Sequence, residues 1–407
     1  MKVLVLNSGS SSIKYQFIDT ANRSELAKGM VERIGMSSAV LTHTPEGKDK
    51  VKIVGEILDH SIAIEYVIAV LLSKNHGVIH DKSEIDAVGH RVVHGGETFS
   101  GSVLITNDVL KALNDNIELA PLHNPPNIRG IEAVTKHLPH TPQCGVFDTA
   151  FHAQMPPRAY LYGIPFELYR KYKIRRYGFH GTSHRYVSER AAELMGKPIE
   201  ELRIITAHLG NGCSMAAIDK GISIDTTMGF TPLEGLIMGT RSGDMDPSVI
   251  LYIMGKEGLT FSEANTLLNK HSGLAGLSGE SSDMREIETA VLEGNKKAKN
   301  AFDVFVYRIK KYLGAYMAAM NGADALVFTG GIGENSEMVR KAVCENLDQM
   351  GIKLNVELSN SRPSGEVLLS EPDSRVSIFK IPTNEELVIA LDTEKIVLEQ
   401  MEAVGKN

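Results

Sequence analysis

The feature that most constrains this chain is a pattern met three times: a short apolar strand that runs straight into a glycine-bearing polar turn. It opens the sequence as VLVLNSGSSSIKYQFID, returns as IITAHLGNGCSMAAID at 204–219, and recurs as ALVFTGGIGEN at 325–335. In the first two cases a second apolar segment follows the turn. Both share L-x-x-G-x-S, as Leu6, Gly9, Ser11 and as Leu209, Gly212, Ser214. A strand–turn–strand hairpin is the plain reading of each. A length of 407 residues exceeds one typical core. The repeat therefore predicts two related α/β halves, each beginning with such a hairpin. A hairpin turn needs one turn former, whereas Ser10, Ser11 and Ser12 followed by Lys14 supply hydroxyls and charge beyond that need.

The third turn has different neighbours. Phe302, Phe305, Val306, Ile309, Leu313, Tyr316, Met317 and Met320 recur at helical spacing, and Asn321-Gly322 stops the run. After the turn, Asn335 or Ser336 is placed to cap a helix carrying Val339, Val343 and Leu347. Gly330, Gly331 and Gly333 are thus expected between a strand and a helix N-terminus, a natural site for a nucleotide phosphate. No Walker motif is present. Asp246-Pro247 reads as a cap followed by proline at the first helical position, ahead of Val249, Ile250, Ile253 and Met254. Residues 359–375 read as a polar surface loop. RVSIFKIPTNEELVIALDTEKIV reads as a strand, a Pro-Thr-Asn turn and a helix capped by Thr383 or Asn384, which is expected to pack back on the N-terminal half.

Composition narrows the classes. The balance of 43 basic to 50 acidic residues, net −7, argues against general nucleic-acid affinity. An anionic substrate then needs a few placed arginines to override the global field. Cys144, Cys213 and Cys344 are odd in number, far apart and without C-x-x-C, so a reduced, cytoplasmic protein without a zinc ribbon is expected. No apolar run is long enough for a membrane span, and the first apolar run is too short for a signal peptide.

Arg91 in VGHRVVHGGETF and Arg241 in MGTRSGDMDP lie in glycine-rich, nearly uncharged surroundings, which suits a guanidinium aimed at carboxylate or phosphate better than a solvated surface charge. Arg285 has Asp283 and Glu286 nearby as ordinary partners. His180 and His184 in GFHGTSH are four apart, but Gly181 stands where a zinc protease needs glutamate. Ser183 fails the nucleophile-elbow pattern and reads as a helix cap. His180 itself reads equally as a satisfied buried histidine or as a donor to a transition-state oxygen. Asp148 ends an apolar strand, where a cap or a catalytic carboxylate is placed. Glu385 and Glu386 suit a helix start electrostatically, and one of them suits magnesium.

NSGSSSIKY, GHRVVHGG, LAPLHNPPN, VFDTAFH, YGFHGTSH, HLGNG, GFTPLEGLIMGTRSGDMDP, FTGGIGEN and PTNEE, in this order and over nearly the whole length, resemble the motifs of the acetate kinase family. The resemblance implies two actin-like, ribonuclease H-like α/β domains around a cleft, each with a mixed five-stranded sheet flanked by helices. Their implied bounds are 1–150 with 386–407, and 151–385, the second bearing the main nucleotide site and a homodimer face. The implied reaction is reversible transfer of the ATP γ-phosphoryl group to acetate, giving acetyl phosphate and ADP, with Mg²⁺ or Mn²⁺ in its place. Asn7 and Glu385 are implied at the metal. Lys14, His208, Leu209, Gly210, Asn211, Gly212, Asp283, Met284, Arg285, Gly331, Ile332, Gly333, Glu334 and Asn335 are implied at ATP, and strand alternation, which puts Ser10 and Ser12 on the face of Lys14, adds these two serines ahead of Ser11. The hairpin serines and Lys14 have a reason on this reading: donors and charge for phosphate oxygens.

Arg91 is implied to hold the substrate carboxylate or its phosphoryl group, His180 and Arg241 to stabilise the transition state, and Val93, Leu122, Phe179 and Pro232 to line the methyl pocket. Asp148 is the family's proton donor or acceptor. Acetate is already ionised at neutral pH, so a role in orienting Arg91 or a metal-bound water is expected instead. A propionate or other short-chain acyl kinase would carry nearly the same motifs. An ATP-driven binding protein of the same fold would not need two arginines with small apolar neighbours, and acetate-dependent release of ADP from ATP would separate a kinase from both that protein and a phosphatase. Because one methylene is worth about 1–3 kcal/mol in such a pocket, selectivity among acids is expected to be partial. Val93→Ala should raise kcat/KM for propionate relative to acetate, and an unaltered ratio would remove this side chain from the pocket wall.

Overall fold

The computed structural model describes residues 1–121 and 123–405; Leu122, a candidate for the methyl pocket, lies outside them. The chain forms two compact units, Met1–Ala153 with Asn384–Asn407, and Gln154–Thr383. The expected bounds fell at 150 and 385, so Glu385, expected in the second domain, belongs to the first unit. Among the described residues, no helix is long and apolar enough to cross a membrane.

The first unit holds one sheet built from β1 (Lys2–Ser8), β2 (Ser12–Asp19), β3 (Ser24–Glu32), β4 (Ala39–Pro45), β5 (Val51–Gly55), β6 (Ala87–Val92), β7 (Val103–Leu104) and β8 (Gln143–Phe147). Its order is β5-β4-β3-β2-β1-β6-β8-β7. β1 is antiparallel to β2 and parallel to β6, and β6 is parallel to β8. Val3, Leu4, Val5 and Leu6 are all buried, as an unbroken apolar run in a sheet covered on both faces demands. Leu4, Leu6, Ile13, Tyr15 and Phe17 pack with Ala63, Ile64 and Val67 of helix His60–Leu71 and Val134 of helix Asn124–His137. Val3, Val5 and Val146 pack instead with Leu387, Ile389 and Ala390 of helix Glu385–Gly405.

The second unit repeats the pattern with β9 (Arg203–Leu209), β10 (Cys213–Asp219), β11 (Ile222–Thr226), β12 (Ala325–Thr329), β13 (Val367–Leu368) and β14 (Ser377–Lys380), in the order β11-β10-β9-β12-β14-β13. β9 is antiparallel to β10 and parallel to β12. The five mixed strands expected per domain are therefore a kernel, β3-β2-β1-β6-β8 in one unit and β11-β10-β9-β12-β14 in the other, and among the described residues the sheets are larger, with eight and six strands. The additions are antiparallel edge strands. β5 alternates between half-buried and exposed and carries Lys52, which blunts the edge against further pairing.

Local signals fare differently. The periodic run at 302–320 lies in helix Lys296–Ala319, with the predicted apolar residues buried; its chain reverses at Asn321 (φ 56°) and Gly322 (φ 105°). Asp246 caps helix Pro247–Glu257 by accepting from the Ser248 N–H, yet no residue of that helix is buried. Gly330, Gly331 and Gly333 are not a turn ahead of a helix: they are part of a short helix, Gly330–Asn335, that follows β12 directly. Ser336 then caps Glu337–Cys344, and Leu347 falls beyond that helix. Residues 359–375 are not all loop, since they include β13. Asn384 accepts from the Leu387 N–H and so caps the last helix.

His90, beside Arg91, is buried, and its Nε2 donates to Gln143 Oε1 at 2.8 Å. Burial pushes its pKa down to about 4 from an ordinary 6.5. Unfolding restores the ordinary value, so below 6.5 the unfolded chain takes up a proton that the folded chain refuses. This contribution, about 3 kcal/mol, is complete above the unfolded pKa and is lost as pH falls toward 4. The fall in Tm between pH 7 and pH 5 should therefore be shallower in His90→Gln than in the wild type, which calorimetry would measure.

Candidate active site

In the first unit the candidate residues gather at the C-terminal ends of β1, β6 and β8. Asn7 and Lys14 are directly paired across the β1–β2 hairpin. The turn between them closes with the Gly9 N–H donating to Ser12 O at 2.8 Å. Ser10 and Ser11 are exposed in that turn and Ser12 is half-buried at the start of β2, while Ser8, absent from the sequence candidates, is buried. Arg91 on β6 reaches Asp148, just past β8, with two bonds: Nε to Oδ1 at 3.0 Å and Nη2 to Oδ2 at 2.7 Å. Asp148 is thus not a cap; both carboxylate oxygens are engaged by the guanidinium. Val93 follows β6, its N–H donating to Asn127 Oδ1.

Glu385 completes this group from the first turn of the last helix. Asn7, Lys14, Arg91, Glu385 and Glu386 share a cavity of about 350 Å³ that extends along the open face of β2–β4 past Gln16, Met30 and Thr42. Burial pushes the Glu385 carboxyl up to about 7; Arg91 pulls it down, but Asp148 and Glu386 push it further up. Lys14 also pulls it down, so burial is the main reason the carboxyl is held up. The side-chain oxygens of Asn7 and Glu385 are hard donors, and the Glu385 carboxyl is desolvated, so the pair suits a divalent cation such as magnesium. Among the described residues, no group of three or more His, Cys, Asp and Glu forms a ready metal cage. Magnesium takes few protein ligands and keeps waters and phosphate oxygens, so two such donors fit it.

The second unit gathers histidines around one hydroxyl. Ser214 Oγ on β10 lies 2.8 Å from His180 Nδ1 and 2.7 Å from His184 Nε2. His184 Nδ1 meets Thr206 Oγ1 at 2.6 Å, so this fully buried histidine has both nitrogens bonded. Ser183 does not cap its helix, Gly181–Met195; it lies inside it, bonded to His208 Nδ1 at 2.8 Å. The His180 ring stacks on that of His208 with centroids 4.3 Å apart. His180 occupies the helix N-cap position at φ 57°, a left-handed conformation uncommon outside glycine. Of its two open readings, the geometry is that of a half-buried ring held by Ser214 and His208, not of a fully enclosed one.

Arg241 meets the same turn. A Cβ on Gly212 would lie 3.4 Å from His180 Cε1 and 3.5 Å from Arg241 Nη1, so the glycine brings backbone against both side chains. Arg241 donates to Pro232 O at 3.3 Å and contacts Met238 Sδ, and among the described residues no carboxylate pairs with it. Burial pulls its pKa below the ordinary arginine value. A guanidinium desolvated without an acid is a prepared anion site. Its loop is pinned from behind: Arg176 donates to Glu234 at 2.7 Å and to the Thr226 carbonyl at 2.7 Å, Tyr162 hydrogen-bonds Glu234, and Tyr312 donates to Asp244 at 2.6 Å.

A separate cavity of about 840 Å³ in this unit is lined by Gly210, Asn211, Asp283, Met284, Arg285, Gly331, Ile332 and Asn335 from the ATP candidates. Asp283 caps helix Met284–Leu292 and Arg285 pairs with it, so the ordinary partner foreseen for Arg285 is present. Leu209 and Gly333 are buried behind the cavity. Glu334 turns back to accept from the Gly330 and Thr383 N–H groups. Phe179 is buried and Pro232 half-buried, both in this unit. Sequence reasoning missed Glu288, Thr289 and Arg362, which also line the cavity. Glu288 bonds Ser336, and burial raises its pKa. No local motif marks these residues, because they are brought in from a helix face and a distant loop.

Glycine-rich strand ends beside a cavity of nucleotide size, and arginines held for small anions, are the equipment of a phosphoryl-transferring enzyme. The model of the acetokinase family matches residues 2–391. The chain is 55% identical to an acetate kinase of Natranaerobius thermophilus over 98% of its length and all of that protein. It is 57% identical to one of Thermoanaerobacterium thermosaccharolyticum over 98% and 99%. The crystal structure of Porphyromonas gingivalis acetate kinase superposes with a TM-score of 0.95 at 49% identity, covering 97% of this chain and 99% of that one. That of a Francisella tularensis propionate kinase superposes with 0.90 at 42%, with the same coverage. The chain belongs to the acetokinase family.

Replacing Arg91 leaves Asp148 buried without its partner. Arg91→Met should lose about 3–5 kcal/mol of stability, as breaking a buried pair does. Adding Asp148→Asn should return part of that loss, a coupling that denaturation of the two single variants and the double variant would measure.

Proposed function

We propose that this chain is a kinase that moves the γ-phosphoryl group of ATP to acetate, reversibly, giving acetyl phosphate and ADP. Family membership supports the reaction class, and the observation that carries the reading is Arg241: a desolvated guanidinium, unpaired with any carboxylate among the described residues, beside His180 and the Gly212 turn. Phosphoryl transfer asks for positioning and charge neutralisation more than covalent help. Arg241 and His180 supply donors to the transferring group. Arg91 holds the carboxylate or its phosphoryl oxygens, with Asp148 fixing the plane of its guanidinium through both bonds. Acetate attacks as the anion it already is, so Asp148 is a positioning residue and not a base. When bound, magnesium neutralises the nucleotide's phosphate oxygens, and Asn7 and Glu385 would hold it, with manganese as a substitute.

ATP takes the second unit's cavity lined by Asn211, Asp283, Met284, Arg285 and Asn335, with its phosphates toward Gly210 and Gly331. Val93, Leu122, Phe179 and Pro232 remain the candidates that family membership implies for recognising the acyl methyl. Propionate is the second acceptor to weigh, since a propionate kinase is among the similar structures. We place the protein in the cytoplasm as a homodimer; helix Pro247–Glu257 with Leu251 and Tyr252, and Phe261 at 85% exposure, offers the second unit's apolar face for a second copy.

A hydroxamate assay of acyl phosphate formation with acetate, propionate and butyrate should give the highest kcat/KM for acetate. A preference for another acid would reassign the substrate, and no product with any acid would end the reading. In the same assay Arg241→Ala should lower kcat by about 100-fold or more while KM for ATP moves little, and an unchanged kcat would remove it from the transition state.

A further inference from the structure

We infer that Asn127 is a positioning residue that couples the two ends of the first unit's site, and that it helps set acyl selectivity. The inference rests on the proposed function for the roles of Asn7 and Val93. The motif HNPPN at 123–127 has no assigned chemistry above. Pro125 and Pro126 lie in the first turn of helix Asn124–His137, where missing N–H groups cost nothing because the first four of a helix have no internal partner. This fixes the helix start against the strand ends and aims two buried asparagines at them. Asn127, 3% exposed, donates from Nδ2 to Ser8 O at 2.8 Å and accepts at Oδ1 from the Val93 N–H at 3.1 Å. A carbonyl only accepts and an N–H only donates, so the amide has one orientation. Asn124 donates to His94 O at 3.1 Å, which fixes the next residue of the same segment.

One planar amide thus joins the residue after Asn7 to the second residue after Arg91. The turn that begins with the metal candidate and the segment that begins with the acyl-pocket candidate cannot move independently while both bonds stand. Gly130, one turn further along the helix, makes room for the first of them: a Cβ there would press on Ser8 Oγ and come within 2.9 Å of Ser8 Cβ. The site therefore has two separable arms. Asn127→Asp keeps the acceptor for Val93 and sets an acceptor against Ser8 O. Gly130→Ala displaces Ser8 and leaves Val93 alone. Asn127→Ala releases both.

The test measures KM for Mg·ATP, the propionate-to-acetate ratio of kcat/KM, and hydrogen exchange of the peptides spanning 7–12 and 92–96 in the whole protein. Asn127→Ala should raise KM for Mg·ATP and shift the ratio toward propionate, each by about tenfold, and speed exchange in both peptides. Asn127→Asp and Gly130→Ala should raise that KM and speed exchange at 7–12 only, with the ratio within about twofold of wild type. A loss of kcat in Asn127→Ala with ratio, KM and exchange unchanged would reduce Asn127 to a structural residue and overturn the inference, as would equal effects of Asn127→Asp on both arms. If Asn127→Ala does not fold, the other two variants decide by the same readings. A wild type inactive on every acid would sink the functional reading, whereas exchange confined to one peptide in Asn127→Ala would sink the coupling by itself.

Discussion

Each sheet pivots on one strand paired antiparallel on one side and parallel on the other, β1 in the first unit and β9 in the second. An antiparallel neighbour needs only a tight turn, whereas a parallel neighbour needs a crossover. The pivot strand therefore ends where a short polar hairpin turn lies beside the ends of parallel strands that lead into helices. In open α/β sheets ligands collect outside those strand ends. The positions of Asn7, Val93 and Asp148 in one unit, and of Gly210–Gly212 and Gly330 in the other, all follow from this arrangement.

The arginines, alike in sequence, differ in electrostatic state. Arg91 is paired with Asp148 through Nε and Nη2 and lies near Glu385, so its orientation is fixed before any ligand arrives. Arg241 is desolvated, and among the described residues no carboxylate pairs with it. The first arrangement gives orientation, because a bidentate pair fixes a plane; the second gives attraction, because a partly desolvated cation without a paired acid gains most from an incoming anion. Glu385 is the opposite case, a carboxyl held up mainly by burial, and so suits a cation.

Much of this was legible in the sequence. The apolar strands ending in glycine, the periodic helix at 302–320 and the Asp246-Pro247 cap are local signals and appear where local physics puts them. The extra edge strands were not foreseen, because strand count depends on pairing between distant segments. Glycine propensity predicts a turn at Gly330–Asn335, whereas the segment continues β12 as a short helix. Ser183 could not be separated from a cap without knowing that His208, on another strand, meets it. Glu288 carries no sequence signal of its own: it is an ordinary polar residue on a helix face, made particular only by what lies opposite, and the HNPPN motif that holds Asn127 does not say which groups its amide meets.

The first unit is not contiguous: helix Glu385–Gly405 returns to it after the whole of the second unit and covers Val3, Val5 and Val146. On a ribosome, then, the strands of the first sheet emerge with one apolar face bare and stay so while about 230 further residues are made. Glu385 arrives at Arg91 only with the segment that closes that face. Completion of the first core and completion of its charged cluster are a single late event, so a nascent chain that stops short has neither.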